Sequence, residues 1–99
     1  MLSIAIAAEK SQEISITLGG QSCRIKIHQR TTGLYMDLYV GEKAIMQGVI
    51  CLNCNRMVRY KYLGFIGDLV FSDMEGDTDP VWDGLGSRYK LYYLEASDL

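Results

Sequence analysis

Several residue types on which catalysis and nucleic-acid binding depend are scarce in this sequence. Its 99 residues include one histidine, and the formal net charge is −2. The basic residues are spread along the chain, whereas nucleic acid is usually bound by a clustered basic surface. No apolar run approaches the roughly 20 residues of a membrane-spanning helix. The composition therefore predicts no nucleic-acid or membrane partner, and a single domain over residues 1–99.

The N-terminus also lacks the features of a secretion signal. Its apolar stretch over residues 1–8 has no basic residue in front of it. A signal peptide needs a basic start and a longer apolar core. We therefore predict a first β-strand here, and a protein that is made and used in a reducing cytosol.

Cysteine is present in an odd number, which argues against a closed disulfide framework. Cys51 and Cys54 have the spacing of a metal knuckle or a redox pair. A structural zinc needs four ligands, and alternation along a strand places the remaining candidates, Cys23 and His28, on opposite faces. We predict buried or half-buried free thiols and no cofactor, with a metal or a redox role at Cys51 and Cys54 as the alternatives that the spacing leaves open.

Alternation of apolar and polar residues, which is typical of half-buried strands, dominates the chain. Ile14, Ile16 and Leu18 alternate with polar residues, and the same pattern returns after Gly19-Gly20. Two glycines between two such runs predict a tight hairpin. Its two strands should lie over a core with their other face in water.

Further runs of strand-forming residues follow, separated by turn residues at spacings near ten positions. The predicted strands are Leu34–Val40, Ala44–Leu52 with a bulge at Gln47-Gly48, Val58–Phe65, Leu69–Phe71 and Arg88–Leu94. Residues 53–55 predict a turn, and a short helix over Asn53–Val58 is the alternative there. The whole pattern predicts an all-β fold, a small barrel or sandwich of about seven short antiparallel strands.

Two groups of residues could carry chemistry. Ser22, His28 and Asp37 can be combined on paper into a hydrolytic triad, although His28 lies in an alternating polar row that predicts a solvated side chain. The loop from Asp73 to Asp79 has a carboxylate at every second position, a composition that suits calcium. It lacks the glycine and glutamate spacing of an EF-hand. A solvated turn, or an acidic patch that meets a basic neighbour, is the other interpretation.

Tyrosine is abundant, with seven in the chain. Tyrosine and arginine are residues that anchor protein–protein interfaces, and several of these tyrosines stand opposite the apolar face of their strand. Coverage of that second face by the same chain, as in a closed barrel, is the alternative. Gly64 and Gly67 predict places where a strand bends or where the backbone of another chain comes close. The predicted interface residues are Tyr35, Tyr39, Arg59, Tyr60, Tyr62, Phe65, Arg88 and Tyr92.

Five phrases of the sequence resemble a known family. They are TLGGQSCRI (17–25), GLYMDLYV (33–40), RYKYLGFIGDL (59–69), DP (79–80) and GLGSRY (84–89). Together they resemble the small baseplate plug proteins of contractile-tailed bacteriophages, over the chain from about residue 12 to its end. Cys54 departs from the family pattern, so no cysteine role is carried over from it.

The resemblance implies a non-enzymatic virion protein of the tail baseplate, assembled in the host cytoplasm, with no catalytic residues. It would join tail tube or sheath-initiator proteins to the central hub and spike, with homo-oligomeric copies in the assembly. The alternative function is a small ligand- or carbohydrate-binding β module, dependent on calcium if the Asp73–Asp79 loop binds that ion.

Overall fold

Seven strands form two antiparallel sheets in the computed structural model, which describes residues 2–59 and 64–98. The sheet orders are β2-β3-β4-β5 and β1-β7-β6. This architecture confirms the predicted all-β fold. The strands are β1 Leu2–Ile4, β2 Ser11–Leu18, β3 Gln21–Arg30, β4 Gly33–Val40, β5 Lys43–Ile50, β6 Asp68–Asp73 and β7 Tyr89–Leu94, with short 3-10 turns at Trp82–Gly84 and Ala96–Asp98.

The hairpin of β2 and β3 has the predicted two-residue turn. Gly19 and Gly20 have φ values of 57° and 77°, and Leu18 pairs with Gln21. Two successive positive φ angles define the type I′ turn, whose twist matches that of the flanking strands and which favours glycine. The turn thereby fixes the register of the whole hairpin.

The pairing of β4 with β5 contains the predicted bulge. The register shifts between Met36 and Leu38, where Gln47 and Gly48 together face Asp37, and it shifts again between Leu38 and Tyr39. Gly48 has a φ of 62° and donates its N–H to the Asp37 carboxylate at 2.6 Å. A residue with positive φ that adds one position to a strand is a typical bulge geometry.

The predicted strand Val58–Phe65 is wrong at the positions that the structure describes. Residues 58, 59, 64 and 65 lie outside any strand, and residues 60–63 lie outside the described residues. The buried Asp68 carboxylate accepts the N–H groups of Val58 and Arg59, both at 2.8 Å. Arg59 takes a φ of 71° and Gly64 one of 88°. These side-chain bonds replace the bonds that a strand ladder would have supplied.

The segment before this turn covers the outer edge of β6. The N–H groups of Cys54 and Met57 bond the carbonyls of Phe71 and Leu69, each at 2.8 Å. The bridge between Asn53 and Phe71 is parallel, whereas the bridge between Arg56 and Val70 is antiparallel. The segment is therefore an irregular cover over β6 and contains no helix. The alternative of a helix over Asn53–Val58 is therefore wrong.

The two sheets share one apolar core. Its largest fully buried side chains come from both, among them Ile25, Met36 and Leu38 from one sheet and Phe71 and Tyr93 from the other. In the described part of the chain the sheets stay separate, so the arrangement is a sandwich and not a closed barrel. None of the described helices has the length and apolar character needed to cross a membrane.

Gly67 marks a close approach within the chain itself. A Cβ atom there would collide with the Leu94 carbonyl and the Tyr93 ring, and Gly67 has a φ of 94°. Next to it, the Tyr93 hydroxyl donates to the Ile66 carbonyl at 2.5 Å. The predicted approach of another chain's backbone is therefore wrong at Gly67, because the end of β7 of the same chain occupies that position.

Candidate interaction surface

The outward face of the four-stranded sheet carries a cluster of cationic side chains around Tyr39. We call this cluster, formed by Glu13, Arg24, Lys26 and Tyr39, the outer cluster. The Arg24 guanidinium carbon lies 4.9 Å from the centre of the Tyr39 ring, and the Lys26 Nζ lies 5.4 Å from it. Cations over an aromatic face are attracted by the ring quadrupole, and this attraction is stronger where the contact is desolvated.

Glu13 completes the outer cluster from the neighbouring strand. Its Oε1 lies 3.6 Å from Arg24 Nε and 3.8 Å from Lys26 Nζ. The Glu13 side chain is 50% exposed and that of Arg24 is 46% exposed. Exposed ion pairs of this length stabilise a fold by only about 0–1 kcal/mol. The outer cluster therefore holds charge and aromatic surface in place without being required for folding.

Tyr35 and Asp37 lie on the same face, beside the outer cluster. The Tyr35 hydroxyl shares a hydrogen bond with Thr32 Oγ1 at 2.8 Å. Asp37 faces His28, with 3.5 Å between the carboxylate and His28 Nε2. Ser22 is six positions along β3 from His28, or about 20 Å at the rise of a strand. Ser22, His28 and Asp37 therefore do not form the hydrolytic triad considered from the sequence. The predicted solvation of His28 is also incomplete, because its side chain is half-buried against Asp37.

The acidic loop is organised around one buried carboxylate. Asp73 accepts a bidentate pair of bonds from Arg88, at 2.8 Å and 2.9 Å, and its side chain is fully buried. It also accepts the backbone N–H groups of Glu75 and Thr78 and the Thr78 hydroxyl. The bond to the guanidinium, together with these donors, holds the pKa of Asp73 well below its usual range.

This network engages both carboxylate oxygens of Asp73. Asp79 is engaged as well, because its Oδ1 accepts the Asn53 N–H at 3.0 Å. Across residues 2–59 and 64–98 no three histidine, cysteine, aspartate or glutamate side chains are grouped so that they could hold a metal. The arrangement that the structure shows in this loop is the pairing of Asp73 with Arg88.

The three cysteines are the other candidate metal ligands in the sequence. Cys23 and Cys51 are buried and Cys54 is exposed, and all three are free. Burial raises the pKa of the Cys51 thiol to about 12 and also raises that of Cys23. The prediction of buried or half-buried free thiols is confirmed for Cys23 and Cys51, and it is wrong for Cys54, which is free but exposed.

The predicted interface residues are distributed over both sheets. Tyr35 and Tyr39 lie half-buried on the outward face of the four-stranded sheet, while Tyr92 lies half-buried on β7 in the other sheet. The Tyr92 hydroxyl reaches the sulfur of Met74 at 3.9 Å, and Met74 is 54% exposed. The structure therefore brings Tyr35 and Tyr39 onto one face and Tyr92 onto another.

The remaining predicted interface residues differ in how accessible their side chains are to a partner protein. Phe65 is a core residue, 5% exposed, with its ring edge-on to Tyr93 at 5.9 Å, so it offers little surface to a partner. Arg88 is held by Asp73. Arg59 is exposed, and its Nε donates to the Arg56 carbonyl at 2.8 Å. Tyr60 and Tyr62 lie outside the described residues.

Sequence reasoning missed the partners of Tyr39. Arg24 is directly opposite Tyr39 across β3 and β4, and the two strands are joined by the two-residue turn at Thr31-Thr32. A two-residue connection fixes which residues face each other. Counting back from that turn would have placed Arg24 beside Tyr39, so the signal was present in the strand register.

Comparison with known proteins identifies the lineage. No curated protein matches the chain. A family model described as the cyanophage baseplate Pam3 plug gp18 matches residues 1–96. Because the match covers nearly the whole sequence, the chain belongs to this family of phage baseplate plug proteins.

Proposed function

We propose that the protein is a structural component of a phage tail baseplate that acts by protein–protein contact. It joins tail tube or sheath-initiator proteins to the central hub and spike, and it is assembled in the host cytoplasm without catalysing a reaction. Membership of the baseplate plug family supports the baseplate role. Copies of the chain associate with one another as well as with their neighbours.

The outer cluster is the observation that supports contact as the mechanism. Arg24 and Tyr39 are residue types that anchor interfaces, and their contact, with Lys26 beside it, lies on the outward face of the sheet. A partner that covers them would remove water from the cation–aromatic contacts, which are stronger when desolvated. The same contacts contribute little to the isolated fold, so their principal effect would be on binding.

Co-purification tests this function directly. The tagged chain, produced during infection by the phage that encodes it, should recover other baseplate proteins, identified by mass spectrometry. Tyr39→Ala should reduce that recovery while the purified variant keeps a cooperative melting transition. Lys90→Ala, at a half-buried position of β7 in the other sheet, is the control for loss of a half-exposed side chain. Recovery of no virion protein by the wild-type chain would contradict the proposal.

A further inference from the structure

The edge strands of the two sheets are protected unequally. Within the described residues, β1 and β6 are the edges of one sheet and β2 and β5 those of the other. An exposed edge presents unpaired N–H and C=O groups, and proteins usually protect it by covering, shortening or bulging the strand. Here β6 is covered by the segment that contains Cys54, β1 has three residues, and β5 carries two register shifts.

Strand β2 has none of these protections from the residues that the structure describes. It is eight residues long and pairs with β3 without a register shift. Because the type I′ turn closes on the hydrogen-bonded pair Leu18–Gln21, hydrogen-bonded and non-bonded pairs alternate from there. The N–H and C=O groups of Glu13, Ser15 and Thr17 therefore point away from β3. No described residue forms a hydrogen bond with these backbone groups.

The side chains of β2 also suit the addition of another strand. Ile14 and Ile16 are half-buried at the margin of the core, while Glu13, Ser15 and Thr17 are exposed on the other face. An added strand with the same alternation would complete the cover over the two isoleucines. It would also satisfy the outward-pointing backbone groups, as strand addition does in other complexes.

We infer that the strand added to β2 is β2 of a second copy, antiparallel and related by a two-fold axis at Ser15. This register places Ile14 against Ile16 of the second copy, twice by symmetry, in the closely spaced non-bonded pairs. Glu13, the one charged residue on β2, falls opposite Thr17 of the second copy. A shift that placed the axis at Glu13 would set two carboxylates against each other, which is destabilising.

The pairing makes one continuous eight-stranded sheet from the two four-stranded sheets. It extends the outward face so that two outer clusters lie on the same surface. The inference names the contact for the self-association contained in the proposed function, and it does not depend on which baseplate proteins are the neighbours.

Light scattering of the purified full-length chain tests the pairing. The wild type should show twice the 11.2 kDa mass of one chain. Ser15→Pro removes the Ser15 N–H, which points away from β3, so every hydrogen bond to β3 is kept. Proline is tolerated at such edge positions. This variant should be monomeric with an unchanged far-ultraviolet circular dichroism spectrum, whereas Ser15→Ala, which keeps the N–H, should remain dimeric. A monomeric or trimeric wild type would overturn the inference.

A charge pair tests the register even if the proline variant does not fold. Thr17→Glu sets like charges against Glu13 of the second copy at two symmetric places, while Thr17→Lys sets opposite charges there. Cross-strand pairs of this kind change the dimer dissociation constant by about two- to thirty-fold. We expect weaker dimers for Thr17→Glu and tighter dimers for Thr17→Lys. Equal dissociation constants would overturn the register, and neither result bears on recovery of baseplate proteins.

Discussion

Arginine, tyrosine and a carboxylate meet at two places in this molecule, with different consequences. In the acidic loop, Arg88 lies 5.2 Å from the Tyr89 ring and bonds the fully buried Asp73 at 2.8 Å. In the outer cluster, Arg24 lies 4.9 Å from the Tyr39 ring, and its carboxylate partner is 3.6 Å away and half exposed. The two distances from arginine to ring are similar, but the Asp73 side chain is fully buried and the Glu13 side chain is half exposed.

This difference in burial decides what each group contributes. A buried carboxylate must be fully hydrogen-bonded, and removal of one partner leaves an uncompensated charge. An exposed pair is hydrated in any case, so its removal changes the fold little. The acidic loop is therefore part of the folded framework, and the outer cluster remains available to a partner.

The largest effect should come from Asp73→Ala. It leaves Arg88 without its bidentate partner and releases the turn over residues 73–78, which should lower the melting temperature by about 10 to 20 °C. Differential scanning calorimetry measures the change. The double variant with Arg88→Ala should be less destabilised than the sum of the two single variants. Additive losses would show that the pair is not coupled and would remove the contrast with the outer cluster.

Acid should weaken the loop for the same reason. The folded state lowers the pKa of Asp73, whereas an aspartate in an unfolded chain takes up its proton near pH 3.9. The contribution of Asp73 to the free energy of unfolding is therefore present above about pH 4 and is lost as the pH falls further. Urea unfolding at about pH 5, 4 and 3 should show a steeper loss for the wild type than for Asp73→Asn. Parallel curves would contradict this.

A smaller change in stability is expected from Tyr39→Ala. Loss of its cation contacts and its hydrogen bond from Gln47 should reduce the free energy of unfolding by about 1 kcal/mol. Arg59 is exposed and is also predicted from the sequence to lie at an interface. The substitution Arg59→Ala should likewise weaken assembly more than folding. Chemical denaturation and recovery of virion partners are the paired measurements. A large fall in melting temperature with unchanged assembly would sink the assignment of this face to contact.

The smallest effect should follow Glu13→Gln. The exposed pairs with Arg24 and Lys26 should contribute less than about 0.5 kcal/mol to folding. The shift should shrink further when unfolding is repeated at about 1 M salt, because exposed charges are then screened. A loss as large as that of Asp73→Ala would mean that the outer cluster is also part of the framework.

Local patterns predicted much of this architecture. The Gly19-Gly20 hairpin and the bulge at Gln47-Gly48 depend on residues next to one another in sequence, and both are confirmed. The strand predicted over Val58–Phe65 is wrong at its described ends, where the Asp68 carboxylate, ten positions away, accepts the Val58 N–H. Strand propensity carries no information about such a competing acceptor.

The placement of the predicted interface side chains was predicted in part, for a related reason. Alternation correctly placed Tyr35 and Tyr39 opposite the apolar face of β4. It could not show that Phe65 would turn into the core against Tyr93, or that Arg88 would be held by Asp73 from fifteen positions away. Both outcomes depend on contacts between distant segments, which one-dimensional periodicity does not encode.

The segment that covers β6 gives the molecule a natural attachment point for a spectroscopic probe. Cys54 is exposed, while burial raises the thiol pKa of both Cys23 and Cys51. Alkylating dyes react with the thiolate, so a maleimide fluorophore should label the wild-type chain once, at Cys54. Because Cys54 lies beside the three-stranded sheet and β2 belongs to the other sheet, energy transfer between labelled copies would report self-association without any change to the edge that forms it.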